Sequence, residues 1–332
     1  MKKTFLCLGA FFLICAFSAA NDLESLRYSA NYGDIESLVR LGECYERGEG
    51  VPKDKTAALS YYLVAFKKDK SDKALEKRIA ALGGLRFLTG GVEISGKKYV
   101  ADLGSGTTLE LLEIPAGSFL MGTPKTDQEY FLDEKQSRAK IDKPFYLGKT
   151  EVTQAQWSAL MEKNPSFFQG ETLPVECVTW QEAVLFCERL TAHERAAGRL
   201  PKGMKFSLPT EIQWEYACRA GTQTRFSFGD NETDLPFHGN VSETLAGTSV
   251  VGSFRPNAWG FYDMHGNVWE WCADTYSRVA GERTQGNASA GRVRRGGDWS
   301  CEARECRSAN RAGYVPGLRN RGTGFRVALT EI

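Results

Sequence analysis

The second half of the chain, after Gly221, has few long runs of helical or alternating hydrophobic periodicity. It is dense in Gly, Asn, Trp and Arg, a composition typical of loops and short strands. Such a segment forms few regular backbone hydrogen bonds, so packed aromatic side chains or bound metal ions must order it. The sequence therefore predicts a globular domain whose second half consists mostly of loops and short strands.

Three short helices precede this region. Each is marked by a capping box, in which a Thr is followed three residues later by Glu or Gln. The three pairs are Thr153 with Gln156, Thr179 with Glu182, and Thr210 with Gln213. Each helix has a stop signal downstream, at Pro165, at residues 198–201 and at Gly221.

Residues 21–90 are rich in Ala, Leu, Lys and Glu, which predicts helices joined by turns. Segment 30–57 resembles a Sel-one-like repeat, a relative of the tetratricopeptide class, with turn glycines at Gly48 and Gly50. One such unit cannot bury its apolar face alone. A helical cap on the main domain and a protein-binding arm both remain open as its role. The glycine-rich residues 91–101 predict a linker.

The first twenty residues predict a secretory signal peptide. They combine a basic start at 2–3, an apolar stretch at 5–17 and a small-residue cleavage site at 18–20. The mature protein is expected to begin at Asn21 and to be secreted or periplasmic. A lipid anchor on Cys15 is the alternative, although the bulky residue before this cysteine disfavours it. No later apolar stretch is long enough for stable membrane insertion.

Charge and cysteine content narrow the classes of function. Forty-two Lys and Arg against forty-one Asp and Glu leave a net charge of +1, which predicts no nucleic-acid partner. Of nine cysteines, two lie in the signal peptide, and the remaining seven leave at least one thiol unpaired within a monomer. With three histidines and no C-x2-C pair, a multi-histidine zinc or iron site is disfavoured.

Seven short motifs, in order along the chain, resemble the formylglycine-generating enzyme (sulfatase-modifying factor) family. Together they span roughly two-thirds of the sequence, which makes coincidence a poor explanation. The motifs are IPAGSFxMG at 114–122, EVTxxxW at 151–157, PVExVxW at 174–180, LPTExxWEYA at 208–217, GNVWEW at 266–271, RGG at 295–297 and GFR at 324–326.

The resemblance implies that residues 102–332 form an α/β (α+β) domain of the formylglycine-generating-enzyme fold. This fold is related to the C-type lectin fold and has low regular secondary structure; here it would follow a small all-α N-terminal segment. The family contains copper oxidases, iron-dependent sulfoxide synthases and non-catalytic members, so the fold alone does not fix the function. The low histidine content disfavours the sulfoxide synthases, whose iron site is rich in histidine.

Cys301 and Cys306 are the candidate catalytic residues, five positions apart after Gly296 and Gly297. The resemblance implies that such a pair binds Cu(I), joins it to a substrate cysteine and lets O2 convert that cysteine to formylglycine. Cu(I) is a soft ion that thiolates hold well, and the neighbouring arginines would lower the thiol pKa values. The alternative is a short-range disulfide or two packed thiols without a metal.

Three further features bear on this site. Asp298 stands where the oxidases carry Ser, and its carboxylate would add negative charge beside the copper or take over proton handling. Cys306 runs directly into Arg307, whereas several residues separate the two in the oxidases, which could move Cys306 out of the copper position. Trp269 matches a tryptophan that lines the oxygen and substrate pocket; a core position is its alternative.

A calcium site is implied by a second set of matches, in which two carboxylates and two backbone carbonyls supply hard oxygen ligands. These residues are Asp263, Gly266, Val268 and Glu270. The alternative is a turn-capping carboxylate and a surface Glu. Asn240 and Val241 would begin a second calcium site, but the loop at 242–251 has no clear match to its later acidic ligand.

Two functions follow from this pattern. The first is an exported copper oxidase that converts a cysteine in a sulfatase or other extended protein segment to formylglycine. The second is a catalytically inactive family member that binds peptide or carbohydrate, with the helical repeat as a protein-binding arm. The two differ in whether Cys301 and Cys306 face one cleft beside Trp269.

Overall fold

The structure is a computed structural model. It describes residues 23, 25–27, 29–30, 34–69, 71–84, 96–125, 127, 130–242, 245–277 and 291–332. The predicted signal peptide and the alternative anchor at Cys15 lie outside the described residues. The chain divides into two compact units, Met1–Gly91 with Phe228–Asp230, and Val92–Ser227 with Asn231–Ile332.

The N-terminal unit is helical, with helices α1 (Ile35–Arg47), α2 (Lys55–Lys68) and α3 (Lys73–Ile79), followed by a π-helical turn at Ala80–Gly84. Helix α1 and helix α2 cross closely at Gly42, where an added Cβ would overlap the Tyr62 ring. The absence of a side chain at Gly42 thus permits this crossing. Its resemblance to a Sel-one-like repeat stays a prediction.

The second unit alternates short strands and helices along the chain. Its elements are β1 (Lys98–Asp102), β2 (Thr108–Ile114), β3 (Gly117–Met121), β4 (Ser137–Ile141), β5 (Phe145–Gly148), α4 (Gln154–Leu160), α5 (Trp180–Ala196), β6 (Met204–Ser207), α6 (Glu211–Arg219), a 3-10 turn (Glu232–Phe237), β7 (Trp269–Thr275), β8 (Arg292–Arg295), a 3-10 turn (Ala303–Cys306), β9 (Arg311–Tyr314), β10 (Thr323–Gly324) and β11 (Ala328–Glu331). Strand β1 begins within the segment assigned to the linker.

The strands form three sheets. The largest has the order β1-β2-β5-β11-β6 and is antiparallel throughout. A four-stranded sheet has the order β10-β7-β8-β9, in which only the β10–β7 pair is parallel. Strands β3 and β4 form a separate antiparallel pair. The mixed α/β class predicted from the sequence is confirmed.

All three predicted capping boxes are present, because each Thr side chain accepts from the N3 backbone while the N3 side chain bonds the Thr backbone. Aromatic side chains fill the core beneath these helices, as the composition of the second half requires. Trp157 stacks on Phe186 at 5.7 Å, and Phe325 packs edge-on against both rings. Within the described ranges, no helix has the length and apolar character needed to cross a bilayer.

Candidate active site

Cys301 and Cys306 lie in the loop that follows strand β8. Gly296 and Gly297 both have positive φ, 99° and 75°, and turn the chain sharply out of the strand. The 3-10 turn Ala303–Cys306 then brings Cys306 back beneath this bend. A Cβ added at Gly297 would lie 2.5 Å from the Cys306 Sγ, so the glycine provides the space that the thiol occupies.

The two cysteines lie on one loop and are not linked. Neither cysteine forms a disulfide. Cys301 is 9% exposed, whereas Cys306 is completely buried. Of the alternatives left open by the sequence, the structure therefore contains two free thiols and no disulfide.

Both thiols are poor acids in this structure. Burial, followed by the nearby Asp298 carboxylate, raises the pKa of Cys301 to about 12. Burial also raises the pKa of Cys306 well above its ordinary value. The structure thus corrects the expectation that neighbouring arginines lower the thiol pKa values. The physical reason is that burial disfavours both thiolates, while Arg295 and Arg307 are already paired with Glu215 and Glu134.

Arg294, on strand β8 before the cysteine loop, packs against Trp269. Its guanidinium lies 5.0 Å from the Trp269 ring and 4.0 Å from the Tyr314 ring. The charges of Asp298 and Cys301 both raise its pKa, against the larger lowering effect of burial. The contact of Arg294 with Trp269 was not predicted from the sequence. Alternation along β8 does predict that the Arg294 and Arg295 side chains lie on opposite faces of the sheet.

Trp269 and Asp298 meet at Gly322. The Trp269 backbone N–H donates to the Gly322 carbonyl at 2.7 Å, and a Cβ added at Gly322 would overlap the Asp298 carboxylate. Asp298 Oδ1 also accepts from the backbone and hydroxyl of Ser300. Trp269 and Asp298 therefore both contact Gly322, and the Cys301 backbone N–H donates to the Asp298 carbonyl at 3.0 Å. Cys306 contacts Gly297, in the preceding bend. Trp269 is only 6% exposed, so the indole is largely enclosed.

The arginine-rich strand β8, residues 292–295, is packed against its neighbours. Arg292 stacks on the Trp180 ring at 3.9 Å, and Arg295 is fully buried in ion pairs with Glu211 and Glu215. Strand pairing on both sides of β8 withdraws these side chains from water.

The predicted calcium residues divide into two environments. Both Glu270 carboxylate oxygens accept from Arg326, at 2.6 and 2.7 Å, and Trp214 Nε1 donates to one of them. The Glu270 side chain is fully buried, so it is not the surface Glu of the alternative reading. Asp263 is also buried; its Oδ2 accepts from Gly252 N, and its Oδ1 has no hydrogen-bond partner in the described structure.

Glu151, which the sequence analysis quoted in a motif without assigning a role, faces Asp263. Its Oε1 accepts from Asn267 at 3.1 Å, and its Oε2 has no partner in the described structure. Burial first, and then the Asp263 carboxylate, raise the pKa of Glu151 well above its ordinary value. Burial likewise raises the pKa of Asp263 to about 6. Two facing carboxyl groups in the interior require a shared proton or a cation.

At the doubtful second site, the Asn240 carbonyl accepts from Asn267 N, and Val241 is buried. The backbone carbonyls of Gly266 and Val268, which the sequence predicts as calcium ligands, remain candidates for that role. Over the ranges that the structure describes, no three His, Cys, Asp or Glu side chains come together as a metal-binding group.

Comparison with known proteins decides the family. Residues 100–331 match the model of the sulfatase-modifying factor enzyme 1-like domain. The chain belongs to this family. The domain is 32% identical over 207 residues to the formylglycine-generating enzyme of Thermomonospora curvata, covering 54% of this chain and 63% of that enzyme. The family resemblance identified from the seven motifs is thereby confirmed.

Two other comparisons show the range of this sulfatase-modifying factor family. The chain is 27% identical over 281 residues to the inactive C-alpha-formylglycine-generating enzyme 2 of Bos taurus, covering 68% of this chain and 90% of that protein. The solved structure of PvdO from Pseudomonas aeruginosa aligns with a TM-score of 0.61 and 28% identity, covering 71% of this chain and 98% of PvdO. Sulfatase-modifying factor relatives therefore include both active and inactive proteins.

Proposed function

We propose that this domain is a formylglycine-generating-enzyme-like oxidase, in which Cys301 and Cys306 hold Cu(I). Its substrate would be a cysteine in an extended segment of a sulfatase or similar protein. The observation that carries the proposal is the pair of unlinked thiols on the loop that follows strand β8, whose Arg294 packs against the Trp269 ring. An export role through the predicted signal peptide belongs to the same proposal.

The donor chemistry of this pair fits Cu(I). Two sulfur ligands suit a soft ion, and Gly297 leaves space for the Cys306 sulfur. Because both thiols are protonated at neutral pH, metal binding must release two protons. The charge of the Asp298 carboxylate helps to raise the Cys301 pKa, and this carboxylate is the proposed acceptor for one of the two protons.

Bound copper would supply the redox chemistry with O2, and the chain would supply position and charge. Cys301 is the more exposed thiol and marks the side from which a substrate cysteine approaches. Cys306 is fixed from both sides: its carbonyl accepts from His265 Nδ1 at 2.8 Å, and Arg307 is anchored to Glu134. Arg294 would offset the negative charge that two thiolates bring to the site.

Copper titration with peptide oxidation tests the proposal. Wild-type protein should bind one Cu(I) and convert the cysteine of a sulfatase-type peptide, read by mass spectrometry. Cys301→Ser and Cys306→Ser should each abolish Cu(I) binding and peptide oxidation, because a single thiolate holds the ion weakly. Cys177→Ser, which changes a partly exposed thiol elsewhere, is the matched control and should behave as wild type.

The second candidate function is a binding module for peptide or carbohydrate. The enclosure of Cys306 and Trp269, together with the raised thiol pKa values, favours it. If wild-type protein binds Cu(I) no better than the double serine variant and leaves the peptide cysteine unchanged, this candidate replaces the oxidase. An intermediate result, in which only Cys301→Ser matters, would show that Cys306 is not a copper ligand.

We also propose a structural Ca2+ at Asp263. The unpartnered oxygens of Asp263 and Glu151 supply the hard ligands that calcium requires, and the carbonyls of Gly266 and Val268 could complete the set. Glu270 does not fit this role, because the Arg326 guanidinium already provides its positive partner. The site is therefore proposed with Glu151 in place of the Glu270 side chain.

A further inference from the structure

A groove of about 480 Å³ lies between helix α5 and strand β6, away from the cysteine pair. Helix α5 contributes a stripe of residues one helical turn apart, which includes Trp180, Val184 and Thr191. Phe206 and Leu208 form the facing wall. Most of the lining is apolar, and the volume is within the range of small-molecule sites.

The charged groups of this α5–β6 groove are unevenly placed. Arg195, in the last turn of α5, and Lys205, on β6, lie at one end and are exposed. In the described part of the chain, neither has a carboxylate partner. Glu188 is the one acidic side chain among the lining residues, which also include the C-terminal Ile332, and it is exposed two helical turns before Arg195. Trp180 lies at the opposite end, where Arg292 covers one face of the indole.

The length of the groove limits the shape of its occupant. Trp180 and Arg195 are fifteen residues apart on one helix, which separates them by about 22 Å along the axis. A volume of about 480 Å³ spread over this length leaves a narrow channel. Such a channel admits a single unbranched hydrocarbon chain but not a fused ring system.

We propose that the α5–β6 groove binds a linear aliphatic carboxylate, with the carboxylate between Arg195 and Lys205 and the tail toward Trp180. Two cations without carboxylate partners complement one anionic head group, and the apolar wall removes the tail from water. The ligand chemistry is an unbranched aliphatic chain with a free carboxylate head, as in a free fatty acid. This site is independent of the cysteine chemistry proposed above.

Calorimetric titration of the full-chain protein with dodecanoate tests the site. Dodecanoate should bind at least tenfold more tightly than dodecanol, because the alcohol has no charge for the two cations. Lys205→Glu and Arg195→Gln should each weaken dodecanoate binding at least fivefold without changing dodecanol binding. Lys202→Gln is the matched control, since Lys202 is an exposed cation close in sequence that does not line the groove.

Val184→Trp should fill the groove and abolish binding of both ligands, with an unchanged melting temperature showing that the variant is folded. Sedimentation with phosphatidylglycerol vesicles tests whether a membrane lipid, rather than a free carboxylate, occupies the groove. Binding of dodecanoate without vesicle association supports a free carboxylate. Equal affinity for dodecanoate and dodecanol, unchanged affinity in Lys205→Glu, or vesicle association without dodecanoate binding would overturn the proposal.

Discussion

Arg307 and Glu134 form a buried two-armed ion pair: Nη1 donates to Oε2 at 2.8 Å, and Nη2 donates to Oε1 at 2.9 Å. Both side chains are almost completely excluded from solvent. Because Arg307 directly follows Cys306, this pair fixes the distal end of the cysteine loop. The direct connection of Cys306 to Arg307 in the sequence therefore places this buried ion pair immediately after the cysteine.

Glu134→Gln should destabilise the domain by about 3 kcal/mol, because it leaves the Arg307 guanidinium buried without its counter-charge. Urea unfolding of both proteins measures the difference. Glu302→Gln is the matched control: its pair with Arg304 is exposed, so its removal should cost little. Equal unfolding midpoints for wild type and Glu134→Gln would contradict the role assigned to the pair.

Gly297→Ala should also destabilise the domain by about 3 kcal/mol, because the new methyl group meets Cys306 Sγ and the position has φ of 75°. Adding Cys306→Ala should recover part of this loss by removing the sulfur. Gly317→Ala has open space around it and should be neutral. Additive effects of the two substitutions in a double-mutant cycle would show that the contact is absent.

His265 predicts a pH dependence of stability. Its Nδ1 donates to the Cys306 carbonyl, its Nε2 accepts from Ser227 N, and burial lowers its pKa to about 4. On lowering the pH, the His265 ring therefore becomes protonated near pH 6.5 in the unfolded chain but only near pH 4 in the folded state. The neutral ring contributes about 3 kcal/mol that is fully present above pH 6.5 and is lost as pH falls toward 4.

Urea unfolding at intervals from pH 7.5 to 4.5 measures this contribution. His265→Gln should be less stable than wild type at pH 7.5, and the difference should shrink as pH falls. The comparison with a variant is needed because Asp263, whose pKa is raised to about 6, contributes in the opposite direction. A constant difference across the whole range would exclude the His265 titration.

Calcium should raise the melting temperature of the domain, because an ion that binds only the folded state stabilises it. At a hundredfold excess over Kd, the gain is about 2.7 kcal/mol, or roughly 5–10 °C for a domain of this size. Glu151→Gln should remove most of the shift, since it replaces one proposed ligand oxygen pair with an amide. Identical melting curves in calcium and in chelator would refute the site.

The features that sequence analysis captured are local ones. Each capping box needs only four consecutive residues, and Thr153, Thr179 and Thr210 carry the full signal. Trp269 belongs to the GNVWEW motif, and Asp298 and the two cysteines follow the RGG motif, so the family motifs were enough to identify them as candidates. Gly297 fits the same pattern, because glycine adopts a positive φ far more readily than other residues.

The features that it missed depend on contacts distant in sequence. Glu134 and Arg307 are 173 residues apart, so no spacing pattern connects them. The expected thiol acidity was wrong for a related reason, because the sequence shows neither the burial of the thiols nor the carboxylate partners of Arg295 and Arg307. Glu151 gave no signal beyond its place in the EVTxxxW motif, and only its position opposite Asp263 reveals a demand for a proton or cation.

The order of the large sheet affects how the chain can be made. Strand β11, drawn from the last residues of the sequence, lies between β5 and β6 and is the sole hydrogen-bonded link between them. During synthesis, the edges of β5 and β6 that pair with β11 remain without hydrogen-bond partners until Ala328–Glu331 has left the ribosome. Closure of the domain is therefore a late event, and a chain stalled before Ala328 would expose two unpaired strand edges to chaperones or proteases.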